Sequence, residues 1–197
     1  DASSLFSGCS HASQYQNFDI SWPGLGHVRR DFVELPSQVN ENWLLTPYIL
    51  NTYAKHAETG EPIPQAMVEK IKASDTFNQG FSTVEYLSSA ILDMMLHHRK
   101  EPVTDPRAFE KEALAKIGMP KEMVMRHRLP QFNHLFSSDG YSAGYYSYLW
   151  SETMDADTWA AFTDKGDVWD KETAERFRSM LLSTGNESDR IEAYRAF

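Results

Sequence analysis

The sequence predicts an all-α fold, organised as an array of helices. Apolar residues recur at helical spacing over most of the chain, and proline and glycine residues mark the ends of the helical stretches. No segment shows the apolar–polar alternation of a half-buried strand. The 197 residues are 41% hydrophobic and 24% charged, as in an ordinary globular chain that can bury a substantial core.

The chain divides by pattern into two parts. Residues 1–28 have no period and predict an irregular N-terminal segment, whereas residues 29–197 predict a helical portion. Within this portion the first helical stretches cover about 48–56 and 65–72, because Pro62 and Pro64 interrupt the chain between them.

A long helix is predicted over about 77–99, where Val84, Leu87, Ile91 and Met95 share one face. The next helix begins at Asp105 and Pro106 and ends at Gly118. Its inward-facing residues are predicted to be Phe109, Leu114 and Ile117.

Three more helices complete the predicted array. The first covers 141–162, the second covers 170–182 and ends at Ser183-Thr184-Gly185, and a terminal helix begins near Ser188 with Ile191 and Tyr194 on one face. A helical array of this kind, with no strand and an irregular start, predicts part of a larger helical protein.

Charge, hydropathy and cysteine content exclude several classes of protein. The formal net charge is −9, from 19 basic and 28 acidic residues, so we expect neither nucleic-acid binding nor association with an anionic membrane. No apolar run approaches the roughly 18–20 residues of a membrane helix, and no signal peptide is visible. Cys9 is the only cysteine, which excludes an internal disulfide. These features predict a cytoplasmic protein.

The segment 29–43, RRDFVELPSQVNENW, carries the first chemical signal. Glu34, Gln38 and Glu41 are spaced so that a helix would stack them on one face, where a carboxylate could ligate a metal. Asp31 and Glu34 also match the spacing of a capping box, which is the structural alternative. Pro36 requires that the helix begin within one turn of it or bend there.

The segment 132–150 carries the second signal. Tyr141, Tyr145 and Tyr148 follow the same helical spacing, and His134 lies a few residues before them. Phenol groups beside a histidine can donate hydrogen bonds to a developing oxyanion. The alternative is an aromatic stripe of the core whose hydroxyl groups reach the surface.

Together these two segments resemble the thimet oligopeptidase and dipeptidyl carboxypeptidase family of zinc metallopeptidases. Residues 30–38, RDFVELPSQ, with 41–43, ENW, are similar to the segment that follows the family's zinc helix. Residues 140–150, GYSAGYYSYLW, are similar to its tyrosine-rich segment. The resemblance covers roughly 29–197, and its dipeptidyl carboxypeptidase branch looks most similar.

The resemblance implies a fold, a substrate class and a set of site residues. The fold is the C-terminal part of a two-lobed, zincin-like helical shell that cleaves short peptides. In this family, two histidines of an H-E-x-x-H helix and one downstream glutamate hold the zinc. The glutamate within H-E-x-x-H activates the zinc-bound water. The residues of this chain that take family roles are Glu34 as the third zinc ligand, Asp31 as a residue that orients a ligand, His134 and Tyr148 on the scissile carbonyl, Tyr141 and Tyr145 on the substrate backbone, and Arg30 as a substrate contact or a residue beside a zinc ligand.

The motif H-E-x-x-H itself is absent from the 197 residues, because no histidine is followed by glutamate. Three explanations remain open: a zinc helix on a missing segment, a natural truncated relative without catalysis, or a local metal site rebuilt from Cys9, His11 and His27 around Glu34. On this basis we expect the chain alone to be inactive and not to retain zinc.

A second hypothesis is a non-catalytic helical module, derived from the same family, that binds peptides or a partner protein. It would keep the tyrosines and need no metal. In either case a helical portion of a larger shell would expose an apolar face, so self-association is also expected.

Overall fold

The computed structural model describes residues 28–185 and 188–197. The segment predicted to be irregular therefore lies outside the described residues, except for Val28. Within them every regular element is helical, and the only extended pairing is an isolated bridge between Lys55 and Pro62. The all-α prediction is confirmed. None of the described helices is long and apolar enough to cross a lipid bilayer.

The α-helices follow one another along the chain. They are α1 (Arg30–Val33), α2 (Leu35–Glu41), α3 (Pro47–Tyr53), α4 (Gln65–Ser74), α5 (Gln79–His97), α6 (Pro106–Lys116), α7 (Asn133–Phe136), α8 (Ser147–Thr163), α9 (Lys171–Arg176) and α10 (Arg190–Ala196). Shorter 3₁₀ turns cover Asn42–Leu45, Leu129–Gln131 and Asp139–Tyr141, and Phe177–Leu182 continues α9 with π-helical hydrogen bonds.

The described residues divide into two compact units. Unit A consists of residues 28–69 and Tyr148–Phe197, and unit B consists of Lys70–Ser147. The sequence predicted a single helical portion over 29–197 and did not indicate this division. Unit A is thus built from two stretches of chain that are separated by the whole of unit B.

The core of unit A joins α1 and α2 to the helices near the C-terminus. Its buried members are Phe32, Leu35, Val39, Met154, Phe162, Phe177 and Leu181. Burying side chains of this size contributes about 1.5–3 kcal/mol each. The terminal helix packs on this core through Ile191 and Tyr194, as predicted. It begins at Arg190, because Asp189 accepts hydrogen bonds from the amides of Ile191 and Glu192.

The core of unit B lies between α5 and α6 and the segment that follows α6. Leu92, Ala113, Met125 and Leu129 are buried there, and the predicted inward-facing residues Phe109, Leu114 and Ile117 pack against them. The predicted bounds of α6 are also confirmed. Asp105 caps its start by accepting hydrogen bonds from the amides of Arg107 and Ala108, and Gly118 after its end has a φ of +73°.

The buried face of α5 differs from the stripe in the sequence. Val84 and Ile91 are exposed, whereas Ser88, Ser89, Ala90, Leu92 and Asp93 are buried. The buried face therefore includes a carboxylate, at Asp93, which apolar periodicity cannot detect.

Candidate active site

Glu34 lies at the junction between α1 and α2. Its backbone is still near helical (φ −86°, ψ −14°), and Pro36 occupies the first turn of α2, where a missing amide costs no hydrogen bond. The helix therefore begins within one turn of Pro36, as the sequence predicted. The capping-box interpretation is wrong, because no side chain caps either α1 or α2.

The Glu34 carboxylate is buried, with only 4% of the residue exposed. The Ser37 hydroxyl lies 2.8 Å from the Glu34 carbonyl oxygen and 3.3 Å from Oε2. A buried carboxylate is paired, hydrogen-bonded or bound to a metal in folded proteins. The chemistry of Glu34 is therefore compatible with a zinc ligand, since carboxylate oxygens bind zinc.

The segment around Glu34 contacts the start of α8. Gln38, one turn after Glu34, donates a hydrogen bond from Nε2 to the carbonyl oxygen of Tyr148 over 3.1 Å. The Ser151 hydroxyl lies 3.4 Å from the carbonyl oxygen of Asp31. These two contacts bring Glu34 and Tyr148 into the same region of unit A, although the residues are more than a hundred positions apart in the sequence.

Arg30 and Asp31, the two candidate site residues in α1, lie beside this region. Asp31 is half-buried and pairs with Arg29 over 3.1 Å between Oδ2 and a guanidinium nitrogen. Arg30 is exposed to solvent. Both residues belong to unit A, as do Glu34 and Tyr148.

The tyrosine-rich segment is not the continuous helix that spacing predicted. Asp139–Tyr141 forms a 3₁₀ turn, residues 142–146 form further turns, and α8 begins only at Ser147. Ala143 has a φ of +55°, in the left-handed region, so the chain cannot continue as a right-handed helix there. Tyr141, Tyr145 and Tyr148 therefore do not form a helical stripe, and we refer to residues 141–146 as the tyrosine loop.

His134, Tyr141 and Tyr145 come together within unit B. The ring centroids of His134 and Tyr141 are 4.2 Å apart, and those of His134 and Tyr145 are 5.9 Å apart and nearly perpendicular. His134 is exposed, whereas both tyrosines are half-buried. This cluster brings an imidazole and two phenol groups to one place, which are groups that can hydrogen-bond a peptide.

Tyr145 also packs against a buried aromatic ring. Its ring packs edge-on against the buried Phe132, with centroids 4.9 Å apart. Burial raises the pKa of Tyr145 above its usual value of 10, although the positive charge of Arg126 partly opposes this. The phenol therefore keeps its proton at neutral pH and remains a hydrogen-bond donor.

A polar cavity of about 320 Å³ lies beside the Glu34 segment in unit A. Its lining residues are Gln38, Glu41, Asn42, Leu45, Glu152 and Asp155. Burial raises the pKa of Asp155 to about 6, with the nearby Glu41 and Glu152 carboxylates adding to the effect. The hydrogen bond that Asn42 donates to Asp155 Oδ1, over 2.7 Å, acts in the opposite direction.

In residues 28–185 and 188–197 there is no group of three or more histidine, cysteine, aspartate or glutamate side chains that could hold a metal. Cys9, His11 and His27, the candidates for a rebuilt local site, lie outside the described residues.

Comparison with known proteins agrees with the resemblance found in the sequence. The model of peptidase family M3 matches residues 10–197. Dipeptidyl carboxypeptidase of Salmonella typhimurium is 37% identical over 171 residues, which are 85% of this chain and 25% of that protein. Dipeptidyl carboxypeptidase of Escherichia coli is 38% identical over 169 residues, covering 84% of this chain and 24% of that protein.

Oligopeptidase A of Escherichia coli is 34% identical over 177 residues, which are 88% of this chain and 26% of that protein. The chain thus spans about a quarter of the length of these relatives. The family model covers nearly all of its residues. By both measures the chain belongs to peptidase family M3.

Proposed function

We propose that this chain supplies part of the active site for zinc-dependent hydrolysis of short peptides, of the dipeptidyl carboxypeptidase type. The contact between Gln38 and the Tyr148 carbonyl supports this most directly, because it brings the segment that carries the proposed zinc ligand Glu34 to the backbone of Tyr148, a proposed catalytic residue. Family membership and the similarity to dipeptidyl carboxypeptidases support the reaction class.

Glu34 is the proposed third zinc ligand. The family's H-E-x-x-H helix would provide the other two ligands and the general base, and the 197 residues do not contain it. When bound, zinc supplies an activated water and polarises the scissile carbonyl. The hydroxyl of Ser37, 3.3 Å from Oε2, restricts the orientation of the Glu34 carboxylate, and Asp31 is proposed to orient a second ligand.

The aromatic residues hold the substrate and its developing charge. Tyr148 and His134 donate hydrogen bonds to the scissile carbonyl oxygen as it becomes an oxyanion. Tyr141 and Tyr145 bind the substrate backbone, and the Tyr145 phenol is protonated at neutral pH and can donate to it. Arg30, exposed on α1, contacts the substrate.

A chimera tests this assignment. The quarter of Escherichia coli dipeptidyl carboxypeptidase that matches this chain is replaced by the chain, and zinc content and hydrolysis of a short peptide are measured. Glu34→Gln should remove both bound zinc and activity, whereas Glu41→Gln, at the end of α2, should retain both. A chimera that keeps its zinc and its rate after Glu34→Gln would contradict the assignment.

The phenol is tested in the same chimera. Tyr148→Phe should leave zinc content unchanged and lower kcat by about 10²–10³-fold, the usual effect of losing one oxyanion donor. Tyr146→Phe is the matched control, because Tyr146 is a neighbouring exposed tyrosine with no proposed role. We expect the 197-residue chain alone to show no hydrolysis. Peptide binding by that chain, together with an inactive but folded chimera, would favour the non-catalytic binding module instead.

A further inference from the structure

The tyrosine loop is held by one face of α5. Tyr86 and Asp93 are seven residues apart and so lie on the same side of that helix. The Tyr86 hydroxyl donates to the carbonyl oxygen of Tyr145 over 2.5 Å, and the Asp93 carboxylate accepts hydrogen bonds from the loop amides. The backbone of Tyr145 is therefore fixed on both its N–H and its C=O side by α5.

Asp93 makes the larger share of these contacts. Its Oδ1 accepts from the amide of Ala143 and its Oδ2 from the amide of Tyr145, both over 2.9 Å. His97, one turn later, places Nδ1 2.8 Å from Oδ1. Only 1% of Asp93 is exposed. Hydrogen bonds to a buried charged acceptor are stronger than those between neutral groups.

These bonds explain why the loop leaves the helical path. Ala143 adopts a left-handed φ of +55°, which is unfavourable for a residue other than glycine. The carboxylate of Asp93 binds two amides, on either side of Gly144, that a continuing helix would have directed to its own carbonyl groups. The energy of these charged hydrogen bonds offsets the strain at Ala143.

We infer that Asp93 is a positioning residue for the peptide-binding tyrosines: it sets the conformation of the tyrosine loop and so the placement of Tyr141 and Tyr145. The functional consequence rests on the proposed function, in which these two tyrosines bind substrate. The effect of Asp93 on the loop conformation does not rest on the proposed function, since it concerns only contacts within unit B.

Amide exchange on the full 197-residue chain tests whether Asp93 sets the conformation of the tyrosine loop. Asp93→Asn retains one acceptor oxygen but loses the charge and the second acceptor. We expect the amides of Ala143 and Tyr145 to exchange about 10–100-fold faster. The nuclear magnetic resonance signals of the Tyr141 and Tyr145 rings should lose the ring-current shifts that come from their contacts with His134 and Phe132. Ser88→Ala removes another buried polar group of α5, whose hydroxyl donates to the carbonyl oxygen of Glu85 in the same helix; it is the matched control and should change neither.

Rescue separates positioning from simple loss of stability. Ala143→Gly relieves the left-handed strain, so it should restore part of the ring shifts in Asp93→Asn while changing little in the parent chain. If Asp93→Asn leaves loop exchange and ring shifts as in the parent, the inference is wrong. It is also wrong if the variant affects the whole of unit B equally and Ala143→Gly gives no rescue.

The functional consequence is read in the chimera described above. Asp93→Asn should raise KM and lower kcat, without changing zinc content, and Ala143→Gly should recover part of both. If the chimera is active and Asp93→Asn changes neither its KM nor its kcat, the positioning role is wrong. If the parent chimera is inactive while Asp93→Asn still releases the loop, the proposed function fails and the conformational inference holds.

Discussion

Asp155 should make unit A less stable as the pH rises through the weakly acidic range. The folded protein raises the pKa of this carboxyl from 3.8 to about 6. Between these values the unfolded chain releases its proton while the folded chain keeps it, so stability falls as pH increases. Below pH 3.8 the penalty is absent, and above pH 6 it is fully present.

The magnitude follows from the size of the pKa change. A change from 3.8 to about 6 corresponds to at most about 3 kcal/mol. Asp155 keeps part of its surface in solvent, so screening reduces the expected penalty to about 1–2 kcal/mol. Asp155→Asn removes the charge but retains an oxygen for the hydrogen bond from Asn42. At pH 7 this variant should therefore be more stable than the parent by about 1–2 kcal/mol.

Tryptophan fluorescence during urea unfolding is the suitable assay, because all five tryptophans lie outside Lys70–Ser147 and so do not report on unit B. The difference in unfolding free energy between variant and parent is measured from pH 4 to 8. It should grow between pH 4 and 6 and then level off. Glu152→Gln, which removes one of the charges that raise the pKa, should move this growth to lower pH. An equal difference at pH 4.5 and pH 7.5 would refute the reasoning.

Two further substitutions test the packing of the two units separately. Leu35→Ala, at a fully buried position of the unit A core, should lower the free energy of unfolding by about 2–5 kcal/mol in the same fluorescence assay, and a loss below 1 kcal/mol would mean that the core is not packed as described. In unit B, Glu110 accepts hydrogen bonds from Arg128 Nε over 2.9 Å and from the Leu129 amide over 3.0 Å, so Glu110→Ala should cost about 1–3 kcal/mol and speed exchange of that amide. Glu112→Ala, at an exposed position of the same helix, should leave that amide as slow as in the parent.

Helices with local end signals could be predicted from the sequence, and the structure confirms them. Asp105 and Gly118 define the ends of α6 because a capping carboxylate and a left-handed glycine act within one turn. Pro36 likewise places the start of α2. Both family and fold class could also be predicted, from two motifs and from the helical period.

The tyrosine loop could not be predicted in the same way. Its departure from helix depends on Asp93, which is fifty residues earlier in the chain and reaches the loop only in the folded unit. Spacing alone makes Tyr141, Tyr145 and Tyr148 look like one helical stripe. The one available signal was the charged residue Asp93 within the apolar stretch of α5. Hydrophobic periodicity, however, does not indicate which groups of the chain such a residue binds.

The discontinuous construction of unit A has a consequence for folding during synthesis. Its contacts between early and late segments, such as the one that joins Gln38 to Tyr148, close a loop of about 110 residues and cannot form until α8 has left the ribosome. Unit B is continuous, and its contacts are nearer in sequence, so it can fold first. Until then the buried residues of α1 and α2 lack the C-terminal helices on which they pack in unit A, and exposed apolar surface of this kind favours aggregation during folding.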